Sequence, residues 1–327
     1  MSDFLFPKLF CSLKKRKRLS IAKISRSGYN TNRQTLSIIF IKERSEIMEK
    51  SIIFFDVDGT LVVCEAKEYI PQSAIDAIHA AQKNGHLCYL CTGRSAAEIY
   101  PHITNVGFDG IIGAGGSYVQ IGNQMLYHHT ISGESLRDLT QFFEENGFDY
   151  YLESNDGLFA SKNLISRLEH ILYGDWEHDP AAAAKKEKGS DFIDALRPLD
   201  GKERGYNKVC FLEREGFPWE KIEEKFNDRF TIIRCTVPSF GENSGELTIP
   251  NSNKSYAIDT LIRHLGIDQK NTFAFGDGMN DAEMLRYVAH GIAMGNAKEG
   301  LKAIADEVTE SQTEDGIANA MKRHGLC

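Results

Sequence analysis

Two carboxylates stand two residues apart where an apolar run meets a glycine, in Ile52-Ile53-Phe54-Phe55-Asp56-Val57-Asp58-Gly59-Thr60-Leu61. Read as a strand over 52–57, the run sends residues i and i+2 to one face, so Asp56 and Asp58 reach a single reacting centre while Gly59 lets the chain turn away. One carboxylate can attack and the other can carry a proton, which together suit phosphoryl transfer through a covalent intermediate. The plainer alternative is a strand ending in a polar turn, since Asp and Gly are common in turns.

At these residues the chain resembles the haloacid dehalogenase superfamily of phosphohydrolases, whose first motif is Asp-x-Asp-Gly-Thr. The second motif of that family, an apolar strand ending in a hydroxyl, is matched by Leu87-Cys88-Tyr89-Leu90-Cys91 running into Thr92-Gly93-Arg94. A hydroxyl followed by a glycine with a free N–H suits a phosphate oxygen, although Thr-Gly-Arg before a helix also serves as a simple cap. The third motif, a lone Lys opening a helix, is matched by Lys254, with Ser255 where the family usually has Gly. The fourth is matched by Thr272-Phe273-Ala274-Phe275-Gly276-Asp277-Gly278-Met279-Asn280-Asp281, which resembles the family's Gly-Asp-Gly-x-Asn-Asp signature. Magnesium takes hard oxygen ligands, usually one or two carboxylates with water and substrate oxygens, and Asp56 and Asp277 on adjacent strands can supply the carboxylates. Gly291-Ile292-Ala293-Met294-Gly295-Asn296-Ala297 and the segments after it are similar to the Cof-type branch, sugar-phosphatase-like enzymes with a mobile cap between the second and third motifs. The resemblance covers Met48 to the C-terminus. It departs at Gly113-Ala114-Gly115-Gly116-Ser117-Tyr118-Val119, where relatives often carry Asn-Gly-Ala.

The elements that must position these residues alternate. Strand 52–57 precedes a helix near 71–84, started by Pro71 and stopped by Gly85. Strand 86–91, a helix near 95–106 and strand 109–113 follow. A helix near 254–265, strand 272–276, a helix near 280–288, strand 290–294 and a helix from about 298 return to the same sheet. Such alternation predicts an α/β fold with a Rossmann-like parallel sheet covered by helices, its ligands beyond the carboxyl ends of the strands near the point where strand order reverses. The expected organisation is core over 48–130, an inserted α+β cap over 131–250, and core again over 251–327. The cap reads as helix 134–146, strands 148–153, 157–160, 208–213, 230–237 and 246–249, and a helix 219–227, with an open antiparallel sheet. The run Ala181 to Lys188 reads as an exposed helix turn or loop.

The net charge of −8 is unevenly spread: residues 1–47 carry 11 basic and 3 acidic side chains, leaving −16 on the remainder. A catalytic part that acidic makes no nucleic-acid binder. The basic segment could serve as a targeting peptide or touch an anionic partner through Lys14-Lys15-Arg16-Lys17-Arg18, but Met48-Glu49-Lys50 directly before the first strand suggests that 1–47 is an upstream, disordered extension. No apolar run reaches the length of a membrane span. The seven Cys show no framework spacing, which suits a reducing, cytoplasmic setting, and Cys88 and Cys91 on one strand face opposite ways as buried thiols rather than a metal clip.

These residues, taken with the resemblance, imply a Mg²⁺-dependent phosphomonoesterase acting on sugar, nucleotide or cofactor phosphates. Asp56 is the expected nucleophile. Asp58 is the expected proton carrier, a role that calls for a pKa above the 3.9 of a free Asp and so for a neighbouring carboxylate or restricted solvation. The resemblance implies magnesium held by Asp56, the backbone carbonyl of Asp58 and Asp277, phosphate oxygens held by Thr92, Gly93, Lys254 and Asn280, and Asp281 in support. A mutase using the same aspartyl phosphate and a non-catalytic sensor are the alternatives. Tyr150, Tyr151, Phe159, Glu153 and Asn155 are the cap residues that could line the site, against the simpler reading of a cap sheet with one packed face.

Overall fold

The structure is a computed structural model that describes residues 50–64, 68–235, 237–250 and 252–327. The basic segment 1–47 and the expected start at Met48 lie outside those residues. The strands are, in chain order, β1 (Ile52–Phe55), β2 (Leu87–Cys91), β3 (Gly110–Gly113), β4 (Tyr118–Ile121), β5 (Gln124–His128), β6 (Tyr150–Ser154), β7 (Gly157–Ala160), β8 (Leu196–Pro198), β9 (Tyr206–Phe211), β10 (Thr231–Arg234), β11 (Gly245–Thr248), β12 (Thr272–Gly276), β13 (His290–Ala293) and β14 (Glu307–Val308).

One sheet runs in the order β14-β13-β12-β1-β2-β3-β4-β5. β1 lies between β2 and β12 and is parallel to both, Ile52 pairing with Leu87 on one side and with Thr272 on the other. Every residue of β1 and β12 is buried, which is why both read as continuous apolar runs rather than alternating ones. Phe55 and Phe275 stack across the pair with centroids 5.3 Å apart. Strand order reverses at β1, so the loops after β1 and β12 open side by side at one end of the sheet.

Helix Gln72–Lys83 follows Pro71 at its N-cap and ends at Asn84, with Gly85 at φ +93° beyond it. Helix Lys254–Leu265 starts where the Asn253 side chain accepts a hydrogen bond from the Tyr256 amide and ends at left-handed Gly266. Three expectations need correction. The helix near 95–106 is instead a 3-10 turn, Ala96–Glu98, and a separate short helix, Pro101–Thr104, because Pro101 has no N–H to continue the ladder and starts a new helix. β3 continues into an antiparallel hairpin, β4 and β5, so the sheet is parallel only from β14 to β3. The helix from 298 is the short Glu299–Lys302, followed by β14 and then helix Gly316–Arg323.

The second sheet, inserted between β5 and β12, runs β10-β11-β9-β6-β7-β8 and is antiparallel except for the β7–β8 pair. One face packs on helices Gly133–Glu145 and Glu220–Phe226, with Phe143 lying 5.0–5.5 Å from the rings of Phe148, Tyr150 and Phe211. Part of the other face is covered by Leu164–Tyr173 and Asp191–Ala195, and a helix between them, Pro180–Glu187, packs on the first. The run of alanines and lysines is thus the middle helix, capped by the Asp179 carboxylate accepting from the Ala181 amide. The two sheets are tied by Ile131 N–H to Tyr206 O and by Ala96 N–H to Asn155 Oδ1.

Candidate active site

β1 stops at Phe55. The Asp56 amide still donates to Phe275 O at 3.0 Å, and the chain then folds into a turn in which the Leu61 and Val62 amides both donate to Val57 O. Asp56 is left 4% exposed at the end of the sheet, beside the loop that follows β12. Lys254, also 4% exposed, reaches it from the first turn of its helix and places Nζ 2.5 Å from Asp56 Oδ1 and 2.5 Å from Asp281 Oδ1. The second Asp281 oxygen accepts the Asp277 and Gly278 amides at 3.1 Å each. Thr60 Oγ1 donates to Asp277 Oδ1 at 3.0 Å. Asp56, Asp277 and Asp281 thereby bring carboxylate oxygens within 4.8 Å of one another. Gly59 makes this approach possible: at φ +80° it occupies the left-handed region, and a Cβ there would overlap the Asp277 carboxylate.

One ammonium faces three carboxylates, and the electrostatics follow from that count. Burial, reinforced by Asp281 and only partly opposed by Lys254, holds the Asp56 carboxyl well above the usual carboxylate range. Burial also pushes Asp277 up to about 6, against the relief supplied by its Thr60 hydrogen bond. Burial works to discharge the Lys254 ammonium, but Asp281 and Asp56 outweigh it and the net shift is upward.

Asp58 departs from expectation. Because the strand ends before Asp56, the two carboxylates do not share a strand face; Asp58 turns outward, its side chain 51% exposed, and pairs with a cation beside a second carboxylate, Glu68. Arg94 grips it with both arms of its guanidinium, Nη2 to Oδ1 at 2.5 Å and Nε to Oδ2 at 3.0 Å. The same guanidinium donates to Glu68 Oε1 at 3.0 Å and to Glu98 O at 3.1 Å. Sequence reasoning left Arg94 and Thr60 without roles, although both stand inside the motifs; an arginine directly after Thr-Gly is the signal that was there to be used.

Thr92 is buried at the end of β2, its Oγ1 accepting the Arg94 amide at 3.1 Å, while Gly93 is exposed. Asn280 is exposed in the 3-10 turn Met279–Asp281. Cys88 and Cys91 are buried, and burial pushes both thiols far up, so neither is a nucleophile or a metal ligand. In the cap sheet, Tyr150 faces the packed side and donates to Glu144, Tyr151 packs on Phe192, and Phe159 lies under Arg204. Glu153 and Asn155 face the seam with the first sheet.

Residues 53–321 match the family described as haloacid dehalogenase-like hydrolase. The chain belongs to that family. Among its relatives is YkrA of Bacillus subtilis, 30% identical over 85% of this chain and 99% of that one. Phosphatase YwpJ of the same organism is 27% identical over 83% of this chain and 98% of that one. The solved structure of the subclass IIB sugar phosphatase BT4131 superposes with a TM-score of 0.63 at 29% identity, covering 85% of this chain and all of that one. This haloacid dehalogenase-like hydrolase is therefore a Cof-type phosphatase of small phosphomonoesters. Among its described residues no helix is long and apolar enough to cross a membrane.

Proposed function

We propose that the phosphatase depends on Mg²⁺ and passes through an aspartyl phosphate on Asp56. The observation that carries this reading is the Lys254 ammonium clasped between buried Asp56 and Asp281, with half-buried Asp277 completing a carboxylate trio. A single ammonium leaves the trio with surplus negative charge, and the donors are all hard oxygens, which is the chemistry of a magnesium site. Asp56, Asp277 and the backbone carbonyl of Asp58 would hold the cation. When bound, it neutralises the charge that would keep a phosphate dianion from a carboxylate.

An Asp56 oxygen attacks phosphorus in line, its bond to phosphorus forming as the bond to the leaving oxygen breaks. Asp58 passes a proton to the departing alkoxide, then takes one from the water that hydrolyses the acyl phosphate. Thr92 Oγ1, the Gly93 amide, Lys254 and Asn280 receive the transferring oxygens, and Asp281 keeps Lys254 aimed at Asp56. Arg94 has to release one Asp58 oxygen before the proton can move, so its bidentate grip sets where Asp58 waits. Arg94→Lys keeps the charge but loses the fork, and is expected to lower kcat/KM about 10- to 100-fold with an unchanged far-UV spectrum. Wild-type rates in that variant would remove Arg94 from the mechanism.

The proposal is tested by phosphate release from a panel of phosphomonoesters, with Mg²⁺ or with EDTA. Turnover that disappears in EDTA and returns with Mg²⁺ supports it; turnover indifferent to chelation sinks the metal requirement. Stability supplies a second check. In the metal-free protein Asp277 holds its proton up to about 6, against 3.8 for the ordinary group, so the folded state binds more protons than the unfolded one across that interval. The contribution of this one group to stability is fully present below pH 3.8 and is lost as pH rises through 6. Mg²⁺ would bind the ionised carboxylate and offset the cost of burying its charge, so the rise in Tm that it gives should be small at pH 4.5 and larger at pH 7. Equal rises at the two pH values would contradict the placement of the cation against Asp277.

A further inference from the structure

The guanidinium of Arg94 is shared between two carboxylates, and only one of them is fully engaged. Nη2 donates to Asp58 Oδ1 at 2.5 Å and to Glu68 Oε1 at 3.0 Å, which commits both hydrogens of that nitrogen. Nε donates to Asp58 Oδ2 at 3.0 Å, and Nη1 donates to the Glu98 carbonyl at 3.1 Å. Both Asp58 oxygens are therefore occupied. Glu68 keeps one in reserve: its Oε2 is buried without a hydrogen-bond partner among the described residues, and His102 Nε2 stands 3.6 Å from it.

One hairpin brings the two acids together. The Val63 amide donates to Tyr69 O at 2.9 Å, and this pairing returns the chain so that Glu68 lies beside Asp58, with oxygens of the two within 4.8 Å of each other. Like charges that close need a cation between them. Arg94 is that cation, and it is the most enclosed of the three, its side chain 13% exposed against 30% for Glu68 and 51% for Asp58. With Asp58 as its only counter-charge, so enclosed a guanidinium would hold on to it, because a cation left unpaired is costly. Glu68 removes that penalty. An Oδ1 that bonds Nη2 at 2.5 Å is not free to hand on a proton, and the vacant Glu68 Oε2 is where the Nη2 hydrogen can go instead.

We infer that Glu68 is a positioning residue for the phosphatase reaction. It takes over the Nη2 arm of Arg94 and so frees Asp58 Oδ1, while Nε keeps Oδ2 in place. The freed oxygen then gives its proton to the ester oxygen as that oxygen takes the electron pair of its bond to phosphorus. This rests on the reading above in which Asp58 carries the proton. The Glu98 carbonyl retains Nη1, and the Tyr100 ring, its centroid 5.6 Å from the guanidinium carbon, flanks the group, so the guanidinium turns in place rather than departing.

The test is the dependence of kcat/KM on the leaving group, measured with glucose 6-phosphate, phenyl phosphate and p-nitrophenyl phosphate in the wild-type chain, Glu68→Gln and Asp58→Asn. This constant reports the steps up to acyl-phosphate formation, where a departing alkoxide needs a proton from the protein and p-nitrophenolate does not. Glu68→Gln keeps the shape and loses the charge. It is expected to lower kcat/KM about tenfold or more for glucose 6-phosphate and less than about threefold for p-nitrophenyl phosphate. Partial misfolding would lower all three esters alike and cancel in the ratio. In an Arg94→Lys background, which has no fork to hand over, Glu68→Gln should add little, since residues acting through one another are not additive. Equal losses on all esters would make Glu68 purely structural, and losses that multiply with those of Arg94→Lys would show that it does not act through Arg94; either overturns the inference. Asp58→Asn should show the same leaving-group dependence more strongly. A uniform loss there would sink the proton-carrying role of Asp58, and failure of the wild type to release phosphate from any ester would sink the phosphatase reading itself.

Discussion

Asp56→Asn is expected to cut phosphate release by about 10⁴-fold or more while leaving Tm unchanged or raised. The amide keeps the shape of the carboxylate but cannot form the acyl phosphate, and loss of a nucleophile costs on that order in other covalent enzymes. The second half of the expectation comes from the electrostatics. Burial and the neighbouring carboxylates hold the Asp56 carboxyl far above its ordinary range, so its ionised form is a burden on the folded state. Asn removes that burden, and Lys254 retains Asp281 at 2.5 Å. Function and stability should move in opposite directions at this position, a pattern typical of residues kept for chemistry. The checks are a steady-state assay and a thermal melt on the same preparation. Residual activity within about tenfold of wild type would exclude Asp56 as the nucleophile.

Lys254→Met is expected to damage both properties. Its side chain is 4% exposed and is the shared partner of Asp56 and Asp281, so its removal leaves buried carboxylates without their cation. Breaking a buried pair by deleting one member costs about 3–5 kcal/mol. The loss of a positive donor from the transferring phosphate should lower kcat by about 10²–10³-fold in addition. Lys254→Arg should not restore either property, because the forked guanidinium does not fit a slot shaped around one ammonium. Urea unfolding curves measured with and without Mg²⁺ test the first part and initial rates the second. A Lys254→Met protein as stable as wild type in EDTA would show that the carboxylates need no internal cation.

Much of this could be read from the chain because the central strands are buried on both faces. Ile52 to Phe55 and Thr272 to Gly276 carry their identity in composition alone, and the glycines after them mark where the chain turns. The trio of Asp56, Asp277 and Asp281 follows once those two strands are neighbours. The outward direction of the Asp58 side chain is not legible from period two, because the strand ends before it and the chain enters a turn set by the Val57 carbonyl. The partner of Asp58, Arg94, lies 36 residues away, and a long-range ion pair leaves no local pattern. The expected helix at 95–106 failed at Pro101, a breaker that was visible. The three helices between Leu164 and Ala195 are short, and their stability comes from docking on the cap sheet and on one another rather than from a strong pattern of their own. Glu153 and Lys208 are joined by cross-strand register, which depends on the whole cap being folded.

The position of β1 between β2 and β12 also dictates a timetable. As the nascent chain leaves the ribosome, β1 can pair with β2 early, but its other edge waits for a strand made after the entire cap. Asp56 and Lys254 are 198 residues apart, roughly 10–40 s of synthesis at about 5–20 residues per second. For that interval a fully apolar strand shows an open edge and its terminal carboxylate has no counter-charge, while the cap, with its own aromatic core, can already condense. Catalytic competence is thus the last thing this chain acquires at birth, and any break between its two half-sheets forfeits it at once.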